Sequence, residues 1–127
     1  MNNLLLDSHS YVWLLYHPNK IGKASRGMLK SSNRTYFSLI SLFELKIKYA
    51  LGKFSYLPED IINSVYKSGL ATLAIKEQHI LNLLDIKIND PFDKLLLTQA
   101  KYEGAQFLTA DELILNLDLP FVSDIRV

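Results

Sequence analysis

The sequence of 127 residues contains no cysteine. Its fold therefore has no disulfide, no thiolate metal site and no cysteine nucleophile, which suits a reducing cytosol. Long apolar runs are lacking as well. No stretch approaches the roughly 20 apolar residues of a membrane span, and the N-terminus lacks the basic start and the apolar run of a signal peptide. We therefore expect a cytoplasmic protein that does not enter a membrane.

An excess of one charge is also lacking. Fourteen Lys and Arg residues stand against thirteen Asp and Glu residues, and the formal net charge is +1. This balance excludes a global field that would draw the protein to nucleic acid or to an acidic membrane, so any contact with nucleic acid must be local. Hydrophobic residues form 49% of the chain, which is enough for the core of one domain at this length. We expect a single domain over residues 1–127.

Short apolar segments alternate with helical patterns along the chain. The strand predictions are residues 4–6, 35–38, 71–75, 106–109 and 120–122. The helix predictions are residues 10–16, 24–31, 40–51, 58–67, 77–84 and 91–102. Strands that alternate with helices form parallel sheets through right-handed crossovers. The expected fold class is α/β: a single three-layer domain with a short, mostly parallel sheet of four to five strands flanked by helices.

Local signals mark the ends of several helices. Ser8 or Ser10 can cap the first one. The clearest start is Asp90-Pro91-Phe92-Asp93, in which an N-cap acid precedes proline at the first helical position. The helix over 40–51 is predicted to be amphipathic, with Glu44 and Lys48 off its most apolar side. That apolar side comprises Leu39, Leu42, Phe43, Ile47, Ala50 and Leu51.

Three aspartates fall where a parallel sheet collects its ligands. Asp7 follows the first predicted strand, Asp111 follows the strand over 106–109, and Asp93 lies in the first turn of a helix. Ligands of open parallel sheets bind beyond the carboxyl ends of the strands, so these carboxylates are expected to share one edge. Packed carboxylates repel one another unless a cation neutralises them, and Mg²⁺ prefers carboxylate oxygens. The pattern therefore indicates a metal site.

Each acid also has a structural explanation when it is considered alone. Asp7 can cap a helix, and Asp93 can complete a capping box with the acid that begins its helix. Glu44 can be a solvated helix residue that pairs with Lys48 at i+4, and Asp111 can be a turn residue. The acids considered singly leave both explanations open.

Aromatic and basic residues near these positions carry weaker signals. Four aromatic residues can stack on bases, but their place in apolar elements favours packing in the core. They are Tyr11, Trp13, Tyr36 and Phe43. Four lysines flank the acids and can hold phosphates, although scattered lysines usually form a solvated surface. They are Lys46, Lys48, Lys53 and Lys94.

Taken together, four stretches resemble VapC-type PIN domains, in the order of that family and across nearly the whole chain. They are Leu4-Leu5-Leu6-Asp7-Ser8-His9, Ser38-Leu39-Ile40-Ser41-Leu42-Phe43-Glu44-Leu45-Lys46-Ile47-Lys48, Asp90-Pro91-Phe92-Asp93-Lys94-Leu95-Leu96-Leu97-Thr98-Gln99-Ala100 and Leu108-Thr109-Ala110-Asp111. The third stretch is distinctive of one VapC-like subgroup. The departures are Ser8 where threonine is usual, Lys94 where arginine is common, and Ile88 where histidine is frequent.

The resemblance implies a Mg²⁺- or Mn²⁺-dependent endoribonuclease that acts as the toxin of a type II VapBC-like toxin–antitoxin pair. The four acids of the family correspond here to Asp7, Glu44, Asp93 and Asp111 as catalytic and metal-binding residues, and Asp90 corresponds to a supporting or capping residue. The implied partners are an RNA substrate, a VapB-like antitoxin and a second copy of the chain in a homodimer.

Two other kinds of protein compete with this interpretation. The first is a non-catalytic PIN-like module that only binds metal or RNA, and the presence of all four acids argues against it. The second is a receiver-like domain, which needs an aspartate at the end of its middle strand. The predicted strand over 71–75 ends without an acid, so the receiver hypothesis is much the weaker of the two.

Overall fold

The computed structural model describes residues 2–127 of the chain. Within that range the strands are β1 Asn3–Leu6, β2 Arg34–Ser38, β3 Ala71–Leu73, β4 Ala105–Thr109 and β5 Val122–Asp124. The helices are α1 Ser8–Tyr16, α2 Lys23–Ser31, α3 Leu39–Ala50, α4 Pro58–Lys67, α5 Glu77–Leu81, α6 Pro91–Tyr102 and α7 Glu112–Leu115, with a 3₁₀ turn over Pro18–Lys20. None of the helices in residues 2–127 has the length and apolar character that crossing a membrane requires.

All five strands of the described chain form one parallel sheet in the order β3-β2-β1-β4-β5. This confirms the predicted α/β class and the sheet of four to five strands. The chain builds the sheet outwards from β1 to β3 and then returns to the other side of β1 to add β4 and β5. The direction of construction therefore reverses between β1 and β4. A reversal of this kind opens a crevice at the carboxyl ends of the two strands, where ligands bind in such sheets.

The sheet has an apolar core on each face, which makes the domain three-layered. Leu4 and Leu6 pack on one face with Phe37 and with residues of α1, α2 and α4. Leu5 packs on the other face with Phe107 and with residues of α6 and α7. All five side chains are completely buried, and each buried leucine stabilises the fold by roughly 1.5–3 kcal/mol. The continuous apolar run of β1 follows from this burial on both faces.

Helices α1 and α7 depart most from the sequence prediction, and α2 and α3 each begin one residue earlier than predicted. Helix α1 begins at Ser8 because the Asp7 carboxylate, rather than Ser8 or Ser10, is its cap; the Ser10 backbone N–H donates to it at 2.8 Å. Helix α7 is absent from the prediction, since four residues are too few to show a helical period. Its cap is Asp111, which accepts from the Leu113 backbone N–H at 2.8 Å.

The last strand begins two residues later than predicted, at Val122. The Val122 N–H donates to the Leu119 carbonyl at 3.1 Å, which closes a turn around Pro120. Proline suits the second position of such a turn and has no N–H to donate to a sheet. The prediction of a strand over 120–122 is therefore wrong for its first two residues, which belong to the turn. Strand β3 and helix α5 are shorter than predicted.

Helix α3 buries a different side from the one expected. Its buried residues are Ile40, Ser41, Glu44 and Leu45, whereas Phe43 is 57% exposed. Ile47 and Leu51 are exposed as well. The spacing of apolar residues identified the helix correctly, but apolar residues occupy most of its circumference. The packing against β2, α1, α4 and α6 decides which strip is covered.

Candidate functional site

Asp7 lies at the carboxyl end of β1, directly at the crevice where the sheet reverses. Its side chain is 6% exposed and both oxygens accept hydrogen bonds: Oδ1 from the Ser10 N–H at 2.8 Å and Oδ2 from the Thr109 hydroxyl at 2.5 Å. Burial raises the pKa of the Asp7 carboxyl above its ordinary value, and the bonds from Thr109 and Ser10 oppose that shift. The capping role predicted for Asp7 is therefore confirmed, and it coexists with a place in the crevice.

Thr109 joins two of the candidate acids, and the sequence prediction did not include it. Its hydroxyl donates to Asp7 and accepts from the Asp111 backbone N–H at 3.0 Å. The parallel register pairs Leu6 with Leu108, which sets the next residues, Asp7 and Thr109, side by side. Asp7 and Thr109 are 102 positions apart in sequence. A hydroxyl residue at the end of one strand in register with an acid at the end of its neighbour is the signal that could have found it.

Glu44 reaches the same edge from α3. The Ser8 hydroxyl donates to its Oε1 at 3.0 Å, and the ammonium of Lys48 lies 3.3 Å from its Oε2. The Glu44 side chain is only 11% exposed. The predicted i+4 pair with Lys48 is confirmed, but the alternative of a solvated Glu44 is wrong. Ser8 follows Asp7 directly in the chain, so the hydrogen bond to Ser8 ties Glu44 to the end of β1.

Asp93 enters from the first turn of α6. Asp90 caps this helix by accepting from the N–H groups of Phe92 at 2.9 Å and Asp93 at 3.4 Å, which confirms its capping role. The Phe92 ring meets the Phe43 ring edge to face at 5.7 Å between centroids. Because each aromatic residue adjoins an acid in sequence, this contact holds the Asp93 end of α6 against the Glu44 region of α3.

The raised pKa of Asp93 indicates that other acids lie close to it. The Asp93 carboxylate accepts no hydrogen bond from any group in residues 2–127, so it forms no capping box with Asp90. Its pKa is raised from 3.8 to about 7, first by burial and then by the negative charges of Asp90, Glu44, Asp111 and Asp7. The other three sequence-predicted acids, Asp7, Glu44 and Asp111, therefore lie close enough to Asp93 to raise its pKa.

The grouped acids do not form a complete coordination sphere for a metal ion in the part of the chain that the structure describes. Within residues 2–127, no three His, Cys, Asp or Glu side chains are placed closely enough to hold a metal ion. Asp7 and Glu44 are buried and fixed by protein groups, whereas Asp111 is exposed at the start of α7. Three of the four carboxylates are therefore held by hydrogen bonds from the protein, and one of these three, Asp111, is also exposed to solvent.

The aromatic and basic residues divide between core and surface. Tyr11 is buried, as predicted, and Trp13 and Tyr36 are half-buried. The prediction of core packing is wrong for Phe43, whose ring is mostly exposed. Of the four lysines considered, Lys48 alone forms an ion pair with a candidate acid among the residues described.

The raised pKa of Asp93 predicts how stability depends on pH without divalent cations. A carboxyl whose folded pKa exceeds its unfolded value stabilises the fold below the unfolded pKa, and that contribution is lost as pH rises through the folded pKa. The window here runs from about 4 to about 7. In a chelating buffer we expect the melting temperature to fall by several degrees, at roughly 4 °C per kcal/mol, between pH 5.5 and pH 7.5. The fall should be clearly smaller in Asp93→Asn, and an equal fall in that variant would contradict the assignment.

The acids lie at the reversal point of a parallel sheet, which is where α/β proteins with such sheets bind their ligands. Comparison with solved structures shows which α/β proteins share this fold. In sequence, no protein-family model and no curated protein matches the chain. In structure, a chain of VapBC2 from Rickettsia felis, bound to a promoter DNA fragment, matches with a TM-score of 0.68 and 18% identity over 96% of this chain and 98% of that one.

Two further complexes contain a chain with a similar fold. DNA-bound VapBC from Salmonella typhimurium matches with a TM-score of 0.66 and 21% identity over 98% of both chains. A toxin–antitoxin complex from Klebsiella pneumoniae matches with a TM-score of 0.60 and 15% identity over 94% of this chain and 95% of that one. The fold is therefore that of chains found in VapBC complexes, as the resemblance to VapC-type PIN domains implied.

Proposed function

We propose that the chain is a metal-dependent endoribonuclease and the toxin of a type II, VapBC-like toxin–antitoxin pair. The observation that carries the proposal is the grouping of Asp7, Glu44, Asp93 and Asp111 at the reversal point of the sheet, where each of the other three raises the pKa of Asp93. The likeness of the fold to chains of VapBC complexes supports the toxin assignment. Fold alone does not fix an activity, so the proposal depends on the site.

The donor chemistry of these side chains suits a hard divalent cation. All four candidate ligands are carboxylates, and carboxylate oxygens are what Mg²⁺ and Mn²⁺ prefer. The Asp93 carboxylate is partly buried and has no hydrogen-bond donor from the described residues. A cation would offset the free-energy cost of burying its charge. One turn before Glu44, the buried Ser41 hydroxyl has no partner in residues 2–127. The Asp93 carboxylate therefore offers this edge of the sheet a charge that the described protein groups do not satisfy.

The residues of the chain have separable tasks in phosphodiester hydrolysis. Asp7, Asp93 and Asp111, with Glu44, would hold Mg²⁺ or Mn²⁺, which would stabilise the negative charge that develops on the phosphate. Thr109 fixes the orientation of Asp7, and Ser8 fixes that of Glu44. Glu44 would orient the attacking water or accept its proton.

A cleavage assay tests the proposed activity. Purified protein incubated with a mixture of cellular RNAs should produce discrete fragments when Mg²⁺ or Mn²⁺ is present, and cleavage should stop in excess chelator and return when the cation is restored. Full cleavage in chelator would refute metal dependence. A protein that binds Mn²⁺ in calorimetry but cleaves no RNA in that mixture would support the alternative of a non-catalytic PIN-like module.

A groove between α3 and α4 supports the proposal of a VapB-like antitoxin. The groove has a volume of about 390 Å³, and its apolar lining includes Leu42, Phe43, Pro58 and Ile62. Phe43 joins the groove to the acidic crevice through its contact with Phe92. A partner segment with apolar side chains for the groove and a basic side chain for the carboxylates would match both surfaces. A homodimer is proposed as well, and light scattering of the purified chain tests it.

A further inference from the structure

Lys48 is the only basic residue of the described chain that forms an ion pair with any of the four candidate acids. Its ammonium lies 3.3 Å from Glu44 Oε2, one helical turn away on α3. The Lys48 side chain is 33% exposed and its partner only 11% exposed. The acidic crevice therefore already contains one fixed positive charge that belongs to the protein.

Backbone structure holds Lys48 in this position. It lies in the last turn of α3, where the helix dipole favours a cation. Its carbonyl accepts from the Lys53 N–H at 2.8 Å, a bond made possible by the turn at Gly52, whose φ is 73°. Glycine adopts this left-handed conformation without strain. The chain reversal after α3 thus fixes the segment from which the Lys48 side chain extends.

The pair at Lys48 differs from an ordinary surface pair on the same helix. Lys46 lies 3.9 Å from Glu59, and both of those side chains are about 60% exposed, a setting in which an ion pair contributes little. Glu44 is buried, and Ser8 and Lys48 occupy its two oxygens. Removing the cation from a buried carboxylate leaves its charge uncompensated, which is costly.

We propose that Lys48 is the resident counter-cation of the crevice: it fixes Glu44 in the metal-free chain and lowers the affinity of the four carboxylates for a divalent cation. The second part rests on the proposed metal-dependent function. Lys48 acts through Glu44 and is a positioning residue. Its positive charge stabilises Glu44 but repels a second cation that enters the same crevice. Loss of Lys48 should therefore strengthen metal binding and weaken catalysis, because Glu44 is then free to move.

The test compares Lys48→Met, which keeps the length and removes the charge, with Lys48→Arg, which keeps the charge. Lys67→Met is the matched control, since Lys67 is an exposed lysine in the last turn of α4 and forms no ion pair in residues 2–127. For each variant we would measure melting in chelator, Mn²⁺ affinity by calorimetry, and kcat and KM for RNA cleavage. The affinity and melting measurements do not depend on activity.

We expect Lys48→Met to have a lower melting temperature than Lys67→Met in chelator. It should bind Mn²⁺ about tenfold more tightly, which is about 1.4 kcal/mol. Its kcat should fall by a larger factor than its KM changes. Lys48→Arg should restore all three properties towards wild type. A Lys48→Met variant that binds Mn²⁺ no more tightly than Lys67→Met would overturn the proposal. If Lys48→Met does not fold, adding Glu44→Gln should restore folding by removing the uncompensated charge, and failure to do so would also overturn it. If wild type binds no Mn²⁺, the proposed function fails, and the role of Lys48 is then tested by the melting temperature in chelator alone. A lower melting temperature for Lys48→Met than for Lys67→Met supports Lys48 as the resident cation. Equal melting temperatures reject it.

Discussion

Asp93→Asn should lower kcat/KM for RNA cleavage by at least about a hundredfold while raising the melting temperature of the metal-free protein at pH 7.5. Loss of groups that merely orient metal ligands costs 10–100-fold, so loss of a ligand charge should cost at least the upper value. Stability should rise because the carboxyl is partly buried, has no hydrogen-bond donor from the described residues, and is repelled by Glu44, Asp7 and Asp111. Activity and stability thus move in opposite directions, which unfolding cannot imitate.

Asp7→Asn is the companion variant, and Asp85→Asn is the control. Asp7→Asn should lose cleavage to a similar extent, but without the gain in stability, because Asp7 accepts hydrogen bonds from Thr109 and Ser10 that an amide cannot fully replace. Asp85 is exposed and forms no ion pair among the residues described, so its variant should behave as wild type. Near-normal cleavage by both Asp7→Asn and Asp93→Asn would refute the site assignment.

The parts of the site that depend on local signals could be predicted from the sequence. The start of α6 is local: an acid, a proline and a second acid define the cap, the first turn and the place of Asp93. The position of Asp7 also followed, because β1 is a short apolar run that ends abruptly at an acid. Parallel strands bring their carboxyl ends to one edge, so the sequence alone predicts that Asp7 and Asp111 lie together.

The contacts that depend on long-range register could not be predicted. Thr109 acquires its role only because β4 pairs with β1 so that Thr109 stands beside Asp7. Glu44 was placed on the correct helix, but its burial depends on how α3 packs against other elements, and the helical period does not determine that packing. The same packing leaves Phe43 exposed beside the crevice, whereas helical periodicity alone predicts that it packs in the core.

Phe43 is the residue on which the proposed partner interaction can be tested. A large apolar side chain that is 57% exposed and borders both an apolar groove and an acidic crevice has the character of an interface hot spot. Truncating a hot spot costs about 2 kcal/mol or more, which corresponds to a loss of affinity of roughly thirtyfold. Leu81 provides a matched control, because it is 74% exposed but lies on α5 and does not line the groove.

Expression of the chain alone should arrest bacterial growth, and co-expression with the product of the upstream reading frame should restore growth through a stable complex. Phe43→Ala should bind that product at least about thirtyfold more weakly than wild type, whereas Leu81→Ala should bind it normally. The complex should also bind Mn²⁺ less tightly than the free chain, because a basic side chain of the partner would occupy the carboxylates that the cation needs. Calorimetry with purified partner measures both affinities, and size analysis gives the composition of the complex. A chain that never binds the upstream product and leaves growth unaffected would overturn the toxin assignment even if RNA cleavage by the isolated protein were established.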